Sequence, residues 1–279
     1  MELGMHTTRT LNNDVRMPVL GLGVSKAADG PEAVQAVRWA LETGYRHIDT
    51  ASVYGNETSV GIGVRESGIP REDVFITTKL WNDDIRAGRV REAFEESLRK
   101  MGTEYVDLYL IHWPVTGKIE ETWHILESLY KEGRVRAIGV SNFQMQHIET
   151  LLAACETVPA VNQCECHPLL TQVPLKNYCS RLGIVFEAWS PLGGGSAGNL
   201  TANPELAAVG EKYGKTAAQT ILRWHLQRGI IAIPKSVRLE RIRENADLFD
   251  FELTAEDMQT IFEMNLDRRT GANPDRIDS

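Results

Sequence analysis

Positive charge is in deficit in this sequence. Thirty lysines and arginines face 38 aspartates and glutamates, a formal charge of −8 over 279 residues. A nucleic-acid binder needs a basic face to neutralise phosphates, so that class is excluded. No block of like charges forms an interaction tail. Long apolar runs are missing too: none reaches about 18 residues, and the opening MELGMHTTRT has no stretch of signal-peptide length. A soluble, cytoplasmic protein is therefore expected. Cysteine is scarce, with four residues at 155, 164, 166 and 179. CECH at 164–167 brings cysteine and histidine together, but the spacing is C-x-C and no second pair lies nearby, so no zinc motif is present. On a strand over 160–166, Cys164 and Cys166 share one face, as small side chains packed under a helix. Linkers and composition shifts are also lacking. Residues 1–279 are read as one domain.

What is present is a repeated grammar. Strand-like apolar runs recur as VLGLGV (19–24), YRHID (45–49), VFITTK (74–79), VDLYLIH (106–112), VRAIGVS (135–141), AVNQC (160–164), IVFEAW (184–189) and IIAIP (230–234). Helical patterns lie between them. In RVREAFEESLRKMG, Val90, Phe94 and Leu98 repeat every four residues and Gly102 supplies a stop. In PLKNYCSRLG, Leu175, Tyr178, Cys179 and Leu182 make an apolar stripe closed by Gly183. The first helix starts at Gly30-Pro31 and stops at Gly44. Parallel strands need long crossovers, so eight strand–helix units over one domain length predict a closed (β/α)8 TIM barrel. The interval before the last strand has room for two helices, near 204–213 and 216–228. TLNNDVRMP reads as an N-terminal hairpin capping the barrel bottom, with Asn13-Asp14 at its turn, and 254–264 as an extra C-terminal helix.

The strands end in polar residues. Successive runs finish at Asp49, Lys79, His112, Ser141-Asn142, Gln163 with Glu165, Trp189-Ser190 and Lys235-Ser236. In a barrel all of these reach one rim, where barrel active sites lie. HIDTASVYGNE (47–57) adds Tyr54 beside Asp49. A phenol with a pKa of about 10 is a sluggish acid at pH 7, and a nearby ammonium lowers it. Lys79 supplies that ammonium, Asp49 keeps Lys79 charged and oriented, and His112 donates to a substrate oxygen. The group suits protonation of a carbonyl oxygen as it becomes an alkoxide, worth about 10²- to 10⁴-fold. None of the four is an evident serine or cysteine nucleophile, so a cofactor hydride is the expected attacking group. Two alternatives stay open at this point: a Schiff-base aldolase using Lys79, and a barrel that binds NADP without catalysis.

The one G-x-G-x-x-G match, 193–198, does not open directly into a helix and reads as a loop over a ligand. A better phosphate site is IPKSVRLERIREN (233–245). There Lys235, Arg238 and Arg241 surround a strand-to-helix junction with Ser236 near the helix start. The same residues also fit a solvated basic helix start. With a nicotinamide cofactor, they favour the 2′-phosphate of NADP.

The chain resembles the aldo-keto reductases. The resemblance rests on GYRHIDTASVYGNE (44–57), VDLYLIHWP (106–114), IGVSNF (138–143), AVNQCECHP (160–168) and IPKSVRLERIRENADLFDF (233–251), in that order. It implies a monomeric barrel that reduces aldehydes and ketones with NADPH lying across the rim. It implies that Asp49, Tyr54, Lys79 and His112 form the catalytic tetrad, with Tyr54 the proton donor and Asp49 also beside the cofactor. Ser141, Asn142 and Gln163 are implied to hold the nicotinamide carboxamide, and Trp189 to stack on its ring. Ser190, Pro191, Leu192 and Gly193 fall near the pyrophosphate. Lys235, Ser236, Val237, Arg238 and Arg241 fall at the 2′-phosphate, and Glu244 and Asn245 at the adenine. AWSPLG and Arg238 look closest to bacterial members such as the 2,5-diketo-D-gluconate reductases. One departure is Ser25, which stands where many relatives carry a large aromatic residue. An open substrate pocket walled by Trp81 and Trp113 and bordered by Ser25 and His112 is therefore expected. No metal is implied.

Overall fold

A hairpin plugs one end of a ring of strands. In the computed structural model, which describes residues 3–194 and 199–277, β1 (Thr8–Thr10) pairs antiparallel with β2 (Arg16–Pro18). Asp14 turns between them at φ 65°, a left-handed value that aspartate and asparagine adopt more readily than most residues. Leu11 and Met17 are buried in one cluster with Phe75, Leu108, Leu110, Ala137, Val161 and Ile231, so the hairpin caps the barrel from below.

The ring itself is β3 (Leu22–Gly23), β4 (His47–Asp49), β5 (Phe75–Leu80), β6 (Val106–Ile111), β7 (Val135–Ser141), β8 (Val161–Glu165), β9 (Val185–Trp189) and β10 (Ile231–Ala232). These eight strands stand side by side in chain order, and each neighbouring pair is parallel. The two ends meet. Gly21 N donates to Ala232 O at 3.0 Å, Ala232 N to Val19 O at 3.1 Å, and Gly23 N to Pro234 O at 3.2 Å. Those bonds close the barrel between the first and last strands. β3 and β10 are shorter than the apolar runs 19–24 and 230–234, because pairing at this seam continues as isolated bridges. Gly21 permits the close approach: a Cβ there would stand 2.5 Å from His47 Nδ1.

The helices of the described residues are α1 (Pro31–Thr43), α2 (Glu57–Glu66), α3 (Asn82–Arg86), α4 (Val90–Met101), α5 (Ile119–Lys131), α6 (Met145–Leu152), α7 (Val173–Arg181), α8 (Pro204–Glu211), α9 (Ala217–Gln227), α10 (Leu239–Ala246) and α11 (Ala255–Glu263). α4 buries Val90, Phe94, Leu98 and Met101 along one stripe and ends at Gly102 with φ 64°. The stripe on α7 is narrower than its periodicity predicts, since only Leu175 and Cys179 are buried in it. The interval between β9 and β10 holds α8 and α9, the latter opened by a capping box between Thr216 and Gln219. α11 is the extra C-terminal helix. Cys164, Cys166 and Cys179 are buried thiols, and no metal-binding group of side chains occurs among the described residues.

Candidate active site

The turn after β4 carries the phenol to the rim. Ser52–Tyr54 form one 3-10 turn that closes at Gly55, whose φ of 70° suits a residue without a Cβ. Asn56 pins this turn from below: it accepts from Thr50 Oγ1 at 2.9 Å and donates to Val24 O and Ala27 O at 2.9 and 3.1 Å. Ser52 Oγ donates to Lys79 O at 3.0 Å, tying the turn to the end of β5. Lys79 is fully buried, and its ammonium donates to Asp49 Oδ1 at 2.6 Å and to Thr50 O at 2.8 Å. Nζ stands 5.2 Å from the Tyr54 ring centroid. The His112 ring meets Tyr54 edge-on at 5.7 Å and Trp81 edge-on at 5.1 Å. The four residues named from three strand ends and one loop therefore share one site.

Burial sets the electrostatics. It works against the Lys79 ammonium, but the Asp49 charge and the hydrogen bond to it lead the interactions that outweigh burial and raise the lysine's pKa. Lys79 is held charged. Burial pushes the Asp49 carboxyl up, against the pull of Lys79 and the Gln163 amide. The His112 pKa lies well below its ordinary value, through burial first and Lys79 second, so the imidazole is neutral at pH 7. Tyr54 departs from the sequence expectation. Lys79 does pull its pKa down, yet desolvation is larger and the phenol's pKa is net raised. A strand-end pattern shows which charge is near, not how much water has been removed.

Next to this group, β7, β8 and β9 end in a linked polar layer. Asn142 sits at φ 64°, a left-handed conformation that asparagine tolerates. Its Nδ2 donates to His112 O at 3.0 Å and Ser141 Oγ at 3.1 Å, while Oδ1 accepts from Trp189 Nε1 at 2.8 Å. Ser141 Oγ donates to Gln163 O at 2.8 Å. Gln163 Nε2 donates to both Asp49 Oδ2 at 2.7 Å and Glu187 Oε2 at 2.8 Å. Both Asp49 oxygens thus have protein partners. The half-buried Trp189 indole is fixed by its own hydrogen bond.

The rim continues into a cleft of about 930 Å³. Ser25, Ser190, Pro191, Leu192, Lys235, Arg241, Glu244 and Asn245 all line it. Gly193 follows them as a buried residue, whereas 195–198, the rest of the glycine-rich stretch, lies outside the described residues. Lys235, Arg238 and Arg241 are exposed and make no ion pair among the described residues. Ser236 is buried, and its Oγ accepts from Arg238 N at 3.1 Å, just ahead of α10. Val237 is half-buried beside it. Glu244 accepts from Thr216 Oγ1 at 2.6 Å. The cleft lining thus carries the cations Lys26, Lys235 and Arg241, and the buried Asp49–Lys79 group is not part of it. Such a lining, elongated and cationic, has the chemistry to hold an anionic ligand.

The sequence profile of the aldo/keto reductase family matches residues 19–266. The chain belongs to that family. As a member it is an NADP-dependent oxidoreductase acting on small carbonyl compounds. It is 52% identical to a glyoxal reductase of Bacillus subtilis (strain 168) over 277 residues, covering 99% of each chain. A 9,11-endoperoxide prostaglandin H2 reductase of Trypanosoma cruzi (strain CL Brener) is 52% identical and covers 96% of this chain and 95% of its own length. Among solved structures, the aldo-keto reductase MGS-M4 from a Medee basin deep-sea metagenome library superposes with TM-score 0.94. It is 43% identical, over 98% of this chain and 100% of that one. A Bombyx mori aldo-keto reductase in complex with NADP gives TM-score 0.89 at 39% identity, over 96% of each chain.

The reductase contains two features that motif reading overlooked. Glu187, fully buried, faces the inside of the barrel under the tetrad. Its signal was an acid in the otherwise apolar run IVFEAW. The second is the tail. Glu165 Oε1 accepts from Thr270 N at 2.6 Å, Thr270 Oγ1 at 2.5 Å, Gly271 N at 3.2 Å and His167 Nε2 at 3.1 Å. Burial works against the Glu165 carboxylate, yet these hydrogen bonds hold its pKa below the ordinary range. Gly271 is backed so closely onto the Trp189 ring that a Cβ would collide with it. Trp81 is half-buried against His112, while Trp113 is 9% exposed and so offers little surface to a pocket.

Proposed function

We propose that this reductase converts aldehydes and ketones to alcohols with NADPH, Tyr54 delivering the proton. The observation that carries the reading is the buried Lys79–Asp49 pair at 2.6 Å directly under the Tyr54 ring. Neutral His112 and the Tyr54 hydroxyl together hold the substrate oxygen, which orients the carbonyl carbon toward the Trp189 side of the cleft. When bound, the reduced nicotinamide supplies a hydride to that carbon. As negative charge grows on the substrate oxygen, the Tyr54 O–H bond breaks and its proton completes the alcohol. Lys79 stabilises the phenolate left behind, and a dry site strengthens that attraction. A raised pKa keeps Tyr54 protonated until an alkoxide, a much stronger base, is forming.

Ser141, Asn142 and Gln163 support the carboxamide side, with Trp189 against the ring. Ser190, Pro191, Leu192 and Gly193 border the pyrophosphate. The preference for NADPH over NADH rests on Lys235, Arg238 and Arg241 around Ser236 and Val237, with Glu244 and Asn245 beside the adenine. Trp81, Ser25, His112 and the edge of Trp113 border the substrate. Residues 1–279 act as one domain, a reading supported by the hydrogen bonds that join the first and last barrel strands. Lys79 is a poor Schiff-base nucleophile here, since its ammonium is charged and already donates to two acceptors.

The test is NADPH oxidation over α-dicarbonyls, simple aldehydes, keto-sugars and aromatic ketones, with Tyr54→Phe as comparison. The variant is expected to lose about 10²- to 10⁴-fold in kcat. Full turnover by Tyr54→Phe removes Tyr54 from the role. Borohydride trapping of substrate on Lys79 makes the protein an aldolase instead.

A further inference from the structure

Glu187 lies on β9, register-paired with Gln163 of β8 and Ile231 of β10. One amide nitrogen connects it to the catalytic group: Gln163 Nε2 donates to Glu187 Oε2 and to Asp49 Oδ2. Asp49 Oδ1 in turn takes the Lys79 ammonium. The second Glu187 oxygen, Oε1, has no hydrogen-bond partner, and His47 Nε2 stands 3.8 Å from it. All five side chains are buried.

The charge balance of this cluster is tight. The titratable groups facing Glu187 are His47 and Asp49 of β4 and Lys79 of β5, while β8 and β10 offer the uncharged Gln163 and Ile231. Burial, then Lys79, pushes the His47 pKa down to about 3, so the ring is neutral. Lys79 and Asp49 cancel. An ionised Glu187 leaves one uncompensated negative charge in a site buried from solvent, which proteins avoid by retaining a proton. Burial, reinforced by Asp49, accordingly pushes the Glu187 pKa up to about 8, against Gln163 and Lys79.

We propose that Glu187 is a positioning residue for carbonyl reduction: from inside the barrel it holds Gln163 against Asp49, which keeps Lys79 aimed at Tyr54. The role rests on Tyr54 as the proton donor. Glu187 touches neither substrate nor cofactor in this role and acts only through the amide, the carboxylate and the ammonium. When it ionises, the added negative charge disfavours the Tyr54 phenolate that reduction leaves behind. Reduction then slows as pH rises, in a step that belongs to a residue outside the tetrad.

Two substitutions and two measurements test this. Glu187→Gln keeps an acceptor for Gln163 but has no proton to lose. Glu187→Ala removes the acceptor. In wild type, log kcat for reduction is expected to break downward near pH 8, and in Glu187→Gln that break is expected to vanish. Glu187→Ala is expected to lose roughly 10- to 100-fold in kcat, as misplaced catalytic groups do, with much smaller changes in either KM. Infrared spectra of the cofactor-free protein provide the second reading. A carboxylic-acid C=O band is expected at pH 6, fading through pH 8 and missing in Glu187→Gln. An active wild type whose pH profile and carboxyl band both persist unchanged in Glu187→Gln overturns the role alone. A wild type that reduces no carbonyl overturns the reductase reading and this role together.

Discussion

The two ends of the rim are built on opposite principles. At the catalytic end Asp49, Lys79, Gln163 and Glu187 are buried and bonded to one another, and their protonation states follow from desolvation. At the cationic end Lys235, Arg238 and Arg241 are exposed and carry no ion pair among the described residues. Under the proposed reaction, charge at the first end is preorganised, since fixed dipoles need no rearrangement as the reaction proceeds. Charge at the second end is exposed to solvent, suited to meeting an anion that brings its own countercharge. A dry site is sensitive to every partner it contains, and a wet one is sensitive mainly to net charge and salt.

The largest break in that comparison comes from removing the buried cation. Lys79→Met leaves Asp49 unpaired in the interior and is expected to cost about 3–5 kcal/mol in urea unfolding. Adding Asp49→Asn is expected to recover part of that stability without recovering activity. A variant as stable as wild type shows that water reaches Asp49 after all.

Acidification probes the dry region next, through its histidines. His47 and His225, with pKa values pushed down to about 3, and His112, also well below its ordinary value, stay neutral when folded. The unfolded chain takes up those protons first, near pH 6.5. The contribution of His47 and His225 is therefore fully present above that value and is lost as pH falls toward 3. Each adds a slope of about 1.4 kcal/mol per pH unit inside that window. Glu187 has the reverse sign: its contribution is complete below about 4.5 and is lost as pH rises through about 8. Unfolding free energy measured from pH 4 to 9 should rise and then bend over, and Glu187→Gln should straighten the alkaline side. A curve flat below pH 6.5 contradicts neutral buried histidines.

The wet end gives the smallest effect. Lys235→Ala with Arg241→Ala is expected to raise KM for NADPH by removing charge-assisted hydrogen bonds of about 1.5–3 kcal/mol each. KM for NADH and the folding stability should hardly move. Equal losses for both cofactors assign these cations to something other than the 2′-phosphate.

Much of this was legible before any coordinates. The run VRAIGVS is a strand with its predicted limits, Val135–Ser141, and Gly44 and Gly102 terminate α1 and α4 in the left-handed conformation that glycine permits. Asp49, Lys79 and His112 could be named because each ends an apolar run, and a parallel barrel brings such ends together. Glu187 was passed over because it interrupts its run instead of ending it. The net rise at Tyr54 was missed for a related reason: the lysine was visible in sequence, the desolvation was not.

Local order and the identity of the rim are thus properties of sequence alone, since periodicity, capping and strand–helix alternation act over a few residues. The pairing of Gln163 with Asp49 spans 114 positions, and the tail's bond from Gly271 to Glu165 spans 106. Which carboxyl keeps its proton, and what covers Trp189, depend on water excluded by side chains brought together from such distances. Only the closed barrel decides them.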